Sequence, residues 1–270
     1  MFGPVFSLAS RLFPVLVLAF LCGCGRPRVE RVEWTVMGTV AAVQWKGEFP
    51  DSGKVVADVK ATFARIEDLL NAHAAESELS RLAALPDAEI LSRCDPSVRP
   101  CYAAAFRLRE ETGGTFNPRW RGPGTMDLGA IAKGFAVDLA AERIAPRCGS
   151  AEVLIDLGGN LKAVSGTWKT GIADPGQAKE DGRRETGDAM EFTLAPGAAC
   201  ATSAEYFRGK HIRDGRDGSE VESGVESVTV IHPSSAMAAD GLSTVMFLLG
   251  RGKGERFLNE KHPEAKAMWL

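Results

Sequence analysis

Asp127-Leu128-Gly129-Ala130-Ile131-Ala132-Lys133-Gly134-Phe135-Ala136-Val137-Asp138 is the stretch on which the reading of this chain turns. An acid and a glycine lead into a helix whose first turn carries a lysine. The free N–H groups and dipole of a helix start attract phosphate. Glycine lets the backbone approach a ligand closely, and lysine adds a mobile positive charge. The spacing predicts a helix over 130–145, with Ile131, Phe135 and Leu139 on one face and Lys133 on the opposite side, free to meet a ligand. Pro146 and Gly149 stop it. An ordinary strand-to-helix junction with a solvated lysine would look the same, so the meaning of the stretch depends on partners elsewhere.

Bulk composition limits those partners. The chain has 270 residues, 45% hydrophobic and 25% charged, which is ordinary globular composition. A net charge of -3, a pI near 5.9 and 7% aromatics argue against a nucleic-acid partner. The amino terminus reads as an export signal: Arg11 precedes the apolar run 12–21, which is too short to span a bilayer comfortably. That run ends in Leu21-Cys22-Gly23-Cys24, which is similar to a bacterial lipobox. The expectation is a signal over 1–24, Cys24 as the acylated mature terminus, a charged tether over 25–33, and one domain over 34–270 facing the periplasm. Cys94, Cys101, Cys148 and Cys200 follow, with three possible full pairings in an exported compartment. None has zinc-site spacing.

Outward from the opening stretch, residues 33–44 read as one strand with Met37-Gly38-Thr39 as an irregularity inside it. Residues 55–70 are an amphipathic helix, with Val55, Val59, Phe63, Ile66 and Leu70 in register. Asn71-Ala72-His73 leaves it, Asn71 as a stop. Short polar helix 76–82 and helix 100–112 follow, then an extended piece with Asn117 before Pro118, either turn former or ligand contact. Strands are expected over 153–157, 161–164, 168–172, 191–194, 199–203 and 227–231, with an exposed loop over 177–188. Residues 206–217 form a basic patch around His211, a solvated loop or a polyanion site with a proton-transfer histidine. The last expected helix, 236–249, carries Asp240 and Thr244. Their i, i+4 spacing puts a carboxylate and a hydroxyl on one face, and both are hard oxygen donors suited to magnesium.

In order, Met37-Gly38-Thr39, Glu76-Ser77-Glu78-Leu79-Ser80-Arg81, Gly113-Gly114-Thr115-Phe116, the 127–134 box, Leu157-Gly158-Gly159-Asn160, Ala201-Thr202-Ser203, Lys210-His211-Ile212 and Ala239-Asp240-x-x-x-Thr244 resemble the ApbE family. Those proteins are bacterial FAD:protein FMN transferases, often exported lipoproteins. The resemblance implies an α+β fold of mixed or antiparallel sheets flanked by helices. It implies Mg2+-dependent cleavage of FAD, transfer of FMN to a threonine or serine hydroxyl of an acceptor flavoprotein subunit or FMN-binding domain, and release of AMP. It also implies Ala130, Asp240 and Thr244 as metal ligands, and Met37, Asn71, Ala72, His73, Asn117 and Lys133 around FAD. His211 and Asp240 would be catalytic.

The chain departs from the family pattern in places. Asn117 stands where an aspartate is usual, Ala204 follows Ser203 where a glycine is common, and the connections 117–127 and 206–211 are short. Two other readings therefore stay open: a magnesium-dependent FAD pyrophosphatase giving FMN and AMP, and a non-enzymatic flavin-binding lipoprotein.

Overall fold

The computed structural model describes residues 28–173, 188–204, 212–221 and 224–270. Cys24, the export signal, His211 and nearly all of the loop expected over 177–188 lie outside those residues.

The first departure from the expected layout is at the amino-terminal end. Residues 33–44 are not one strand but parts of two, β1 (Val29–Val36) and β2 (Thr39–Lys46), paired antiparallel across Met37-Gly38. Both turn residues have positive φ, 51° and 66°. Such a two-residue turn matches the twist of a hairpin, and the apolar pattern runs through it uninterrupted. β1 opens at Val29, so the segment 25–33 read as a tether surrenders its last five residues to the sheet.

Helices α1 (Ser52–Leu70), α2 (Glu78–Leu82), α3 (Asp87–Arg93) and α4 (Arg99–Glu111) follow. α1 buries Val55, Val56, Val59, Phe63, Ile66 and Leu70 along one face. Each such side chain contributes about 1.5–3 kcal/mol of apolar burial, so the periodicity alone was enough to locate it. The short α3 has too few turns to show a period and was not anticipated. In α4 the buried face is Cys101, Tyr102, Ala105, Phe106 and Leu108; Glu111, off that face, pairs with His262 at 3.0 Å.

α5 (Ala132–Ile144) then leads to β3 (Glu152–Leu157), β4 (Asn160–Ser165), β5 (Trp168–Ala173), β6 (Asp188–Leu194), β7 (Ala199–Ala204), β8 (Ser227–His232), α6 (Ala236–Lys261) and β9 (Lys266–Trp269). Seven strands form one sheet in the order β1-β2-β3-β4-β7-β8-β9, and β5-β6 form a separate ribbon. All these pairings are antiparallel. α6 breaks at Gly250 (φ 69°, ψ 170°), so the expected helix ending at 249 is its first half.

α5 and α6 pack on each other, α1 on α5, and α6 on β7 and β8. The main core lies between these helices and one face of the sheet. A smaller core of Leu154, Ala163, Trp168, Leu194, Ala198 and Cys200 joins the other face to the ribbon. The fold is thus the expected α+β class, with antiparallel sheets flanked by helices. Cys94, Cys101, Cys148 and Cys200 are free and buried, so none of the possible disulfides is formed.

Candidate functional site

α5 and α6 cross where each carries a glycine or a small residue. A Cβ on Gly134 would stand 2.2 Å from Ala236 O and 2.8 Å from Asp240 Cβ. The absence of a side chain there is what lets the Gly134 N–H reach Asp240 Oδ2, at 2.9 Å in a buried bond. Asp240 is only 6% exposed. A buried carboxylate requires donors or cations; besides Gly134, Lys133 Nζ stands 3.8 Å from its Oδ2.

Lys133 is not on a free face. α5 buries residues almost all round, including Ala132, Gly134, Phe135, Ala136 and Val137. The lysine turns back to donate to Gly129 O at 2.8 Å, while still lining the cleft beside Asp240. The entry into α5 is set by Asp127, whose Oδ1 accepts from Gly129 N–H (2.8 Å) and whose Oδ2 pairs with Arg121 (3.0 Å). Ala130 sits in the turn before the first helical residue.

One turn along α6 from Asp240, Thr244 Oγ1 lies 3.3 Å from Ser203 Oγ on β7, which also meets Ser243 Oγ at 2.9 Å. The Ala-Thr-Ser motif therefore braces the helix that carries Asp240.

The cleft, of about 2040 Å³, gathers Met37, Asn71, Ala72, His73, Asn117, Ala130, Lys133, Asp240 and Thr244 along its walls. Every expected site residue within the described residues is therefore brought together; His211 and Cys24 lie outside them. Met37 holds a left-handed conformation, which costs a non-glycine residue about 1–2 kcal/mol. Its N–H donates to Glu67 Oε1 on α1 at 2.9 Å, fixing the hairpin tip against the cleft. Asn71 closes α1 with an extended backbone, not a left-handed one, and its Oδ1 accepts from His73 N–H at 2.9 Å. Asn117 behaves as a turn former: its Oδ1 accepts from Arg119 N–H (3.0 Å) and its Nδ2 donates to Gly215 O (2.9 Å), joining two loops.

The basic patch is partly neutralised where it is described. Arg213 pairs with Glu220 at 3.2 Å, and Arg216 with Asp214. The Arg216 hydrogen bond holds the Asp214 carboxyl below its ordinary value.

Several residues escaped the sequence reading. Asp138 closes the opening stretch, yet its carboxylate caps α6 through Ser235, Ala236 and Met237. Nothing local marks it, because its partners lie nearly a hundred positions away. Asn160, quoted above only within the motif Leu157-Gly158-Gly159-Asn160 and given no role, is 3% exposed on the cleft wall, and its Oδ1 accepts no hydrogen bond among the described residues.

Whether these residues suit magnesium depends on donor chemistry. Among the described residues no three His, Cys, Asp or Glu side chains converge on a metal-sized site. A buried carboxylate, a hydroxyl one turn on and the Ala130 turn at one cleft wall are hard oxygen donors, but few. That set suits Mg2+, which keeps part of its shell for water and phosphate oxygens.

Comparison with known proteins gives one consistent picture. The model of the ApbE family matches residues 119–269. A protein of Haemophilus influenzae named FAD:protein FMN transferase is 31% identical over 138 residues, 47% of this chain and 38% of that protein. A Klebsiella pneumoniae protein of the same name is 33% identical over 144 residues, 50% of this chain and 42% of its own. The chain spans less than half the length of these curated relatives. Among solved structures, the flavin transferase ApbE from Vibrio cholerae superposes with a TM-score of 0.70 at 20% identity, over 90% of this chain and 94% of that one. The apbe protein from Thermotoga maritima gives 0.71 at 20% identity over the same shares. At these identities the structures establish the shared fold.

Proposed function

The chain belongs to the ApbE family, and from that premise we propose that it is an FAD:protein FMN transferase acting with Mg2+. The observation that carries this reading is the α5–α6 crossing, which sets the 127–134 box against Asp240 and Thr244 in one cleft. A dinucleotide needs a long cleft with apolar walls and a few placed polar groups. Met37, Asn71, Ala72, His73 and Asn117 would line its flavin and nucleotide contacts, and Lys133 would face the pyrophosphate.

Asp240, Thr244 and the Ala130 carbonyl would hold the metal. Bound there, magnesium would offset the charge that builds on phosphate oxygens in phosphoryl transfer. The chain's own residues do the rest. Gly134 N–H fixes the Asp240 carboxylate; Ser203 fixes Thr244; Lys133 adds positive charge beside Asp240. An acceptor threonine or serine oxygen forms a bond to the FMN phosphorus as the P–O bond to AMP breaks. The hydroxyl proton passes to a base, for which His211 is the candidate. The acceptor is a flavoprotein subunit or an FMN-binding domain.

The export signal and lipobox motivate a further part of the proposal: a lipid anchor at Cys24 and a periplasm-facing domain. Among the described residues no helix is long and apolar enough to cross a membrane.

The test incubates the full chain with FAD, Mg2+ and an acceptor protein carrying a candidate threonine. Expected is a fluorescent acceptor band heavier by one FMN, with AMP released. FAD that binds and yields no adduct refutes the transferase reading. FMN and AMP without adduct identify a pyrophosphatase instead.

A further inference from the structure

The candidate metal ligands come from α6 and from the turn that leads into α5, far apart in sequence, so their relative placement depends on how α5 and α6 are fastened. Gly134 to Asp240 is one fastening. Another is Asp138, one turn further along α5. Its Oδ1 accepts from Ala236 N–H (2.8 Å) and Lys162 Nζ (2.7 Å); its Oδ2 accepts from Ser235 Oγ (2.8 Å) and Met237 N–H (3.0 Å). Each oxygen thus takes two donors. Ser235 is itself the N-cap of α6, its Oγ accepting from Ala238 N–H at 3.0 Å. Lys162 of β4 also donates to Ser234 O at 2.6 Å, tying the sheet into the same cluster.

A carboxylate at a helix start satisfies orphan N–H groups and opposes the helix dipole. Here the acid lies on a neighbouring helix, so capping α6 also sets where α6 stands relative to α5. Asp138 does not line the cleft. We propose that Asp138 is a positioning residue for the metal and pyrophosphate site, holding Asp240 and Thr244 in register with the Ala130 turn. This rests on the metal reading of the preceding subsection. A site with few protein ligands is sensitive to such placement, because no further side chain compensates for one that has moved.

The test uses the full chain and three measurements: Mg2+ affinity at saturating FAD, FAD affinity without metal, and thermal midpoint. Asp138→Asn places an NH2 against donors on one side of the cluster. It is expected to weaken Mg2+ about tenfold or more, as supporting residues around metal sites do, with metal-free FAD affinity unchanged. Asp95→Asn is the control for lost stability: Asp95 caps Ser97 (2.8 Å to N) and pairs with Arg65 (2.6 Å) away from the cleft. It should lower the midpoint and leave Mg2+ affinity intact. Unchanged Mg2+ affinity in Asp138→Asn overturns the proposal, as does an equal loss in Asp95→Asn. Where Asp138→Asn fails to fold, Lys162→Met removes one of the four donors, and a smaller shift in the same direction is expected; unaltered affinity there overturns it too. A native chain whose FAD complex takes up no Mg2+ overturns the metal reading itself, a result distinct from either variant's.

Discussion

Gly134→Ala sets helix propensity against packing, with opposite signs. Gly134 lies inside α5 with an ordinary helical backbone. On propensity alone, alanine would stabilise the helix by about 1 kcal/mol. The added Cβ, however, would stand 2.2 Å from Ala236 O, 2.6 Å from Ala236 C and 2.8 Å from Asp240 Cβ, where ordinary contact begins at 3.4 Å. Two of those atoms are backbone, so no side chain can rotate away and the helices must part by about an ångström. Overpacking of this kind costs about 1–3 kcal/mol. Parting the helices also breaks the buried bond from Gly134 to the Asp240 carboxylate, worth about 1.5–3 kcal/mol. After the propensity gain, the net loss is about 1.5–5 kcal/mol. At about 2–4 °C per kcal/mol for a domain of this size, the melting midpoint should fall by roughly 3–20 °C. Calorimetry or circular dichroism melting of the native chain and the variant measures it. A midpoint that stays or rises would refute the close crossing as the basis of the site.

Asp240→Asn should keep an acceptor for Gly134 N–H and so fold with a nearly unchanged midpoint. It removes the site's negative charge, so Mg2+-dependent flavin transfer should fall at least about a hundredfold; full turnover at limiting Mg2+ would remove Asp240 from the metal site. Burial holds the His232 imidazole below its ordinary value, despite the opposite pull of Glu264. Its Nδ1 accepts from Ser234 N–H (3.2 Å) and Ser235 N–H (2.9 Å), which only the unprotonated nitrogen can do. The unfolded chain therefore takes up the proton first, so this stability is complete above about pH 6.5 and is lost as pH falls through the lower folded value. Denaturant midpoints should decline from about pH 7.5 to 5 in the native chain and flatten in His232→Asn; parallel decline would assign the effect elsewhere. Burial pushes the thiols of Cys94, Cys101, Cys148 and Cys200 up, that of Cys200 to about 12. Mass-mapped alkylation at neutral pH should label these four only after unfolding, and labelling of the native chain or a Cys94–Cys101 disulfide would contradict the buried free thiols.

Much of the site was legible from residue order because its chemistry sits in short motifs. The 127–134 box, Asn71-Ala72-His73 and Asp240 with Thr244 all reach one cleft. What those residues do there was less legible. Lys133 was assigned a free face, but α5 is buried nearly all round and the lysine folds back on Gly129. Asn117 was open between turn and ligand contact, and its hydrogen bonds favour the turn. The hairpin at Met37-Gly38 was missed because an apolar pattern with period two looks the same within one strand as across a tight turn.

By itself the sequence determined what is local. The periods of α1 and of the strands and the spacing of Asp240 and Thr244 each depend on residues a few positions apart, where side-chain geometry repeats. The tertiary structure alone decided how the opening stretch works. Its Gly134 admits a second helix, its Asp138 caps that helix, and its partners stand 106 and 98 positions away. No local pattern records that meeting. It arises because packing makes one missing Cβ and one saturated carboxylate complementary to a distant helix start.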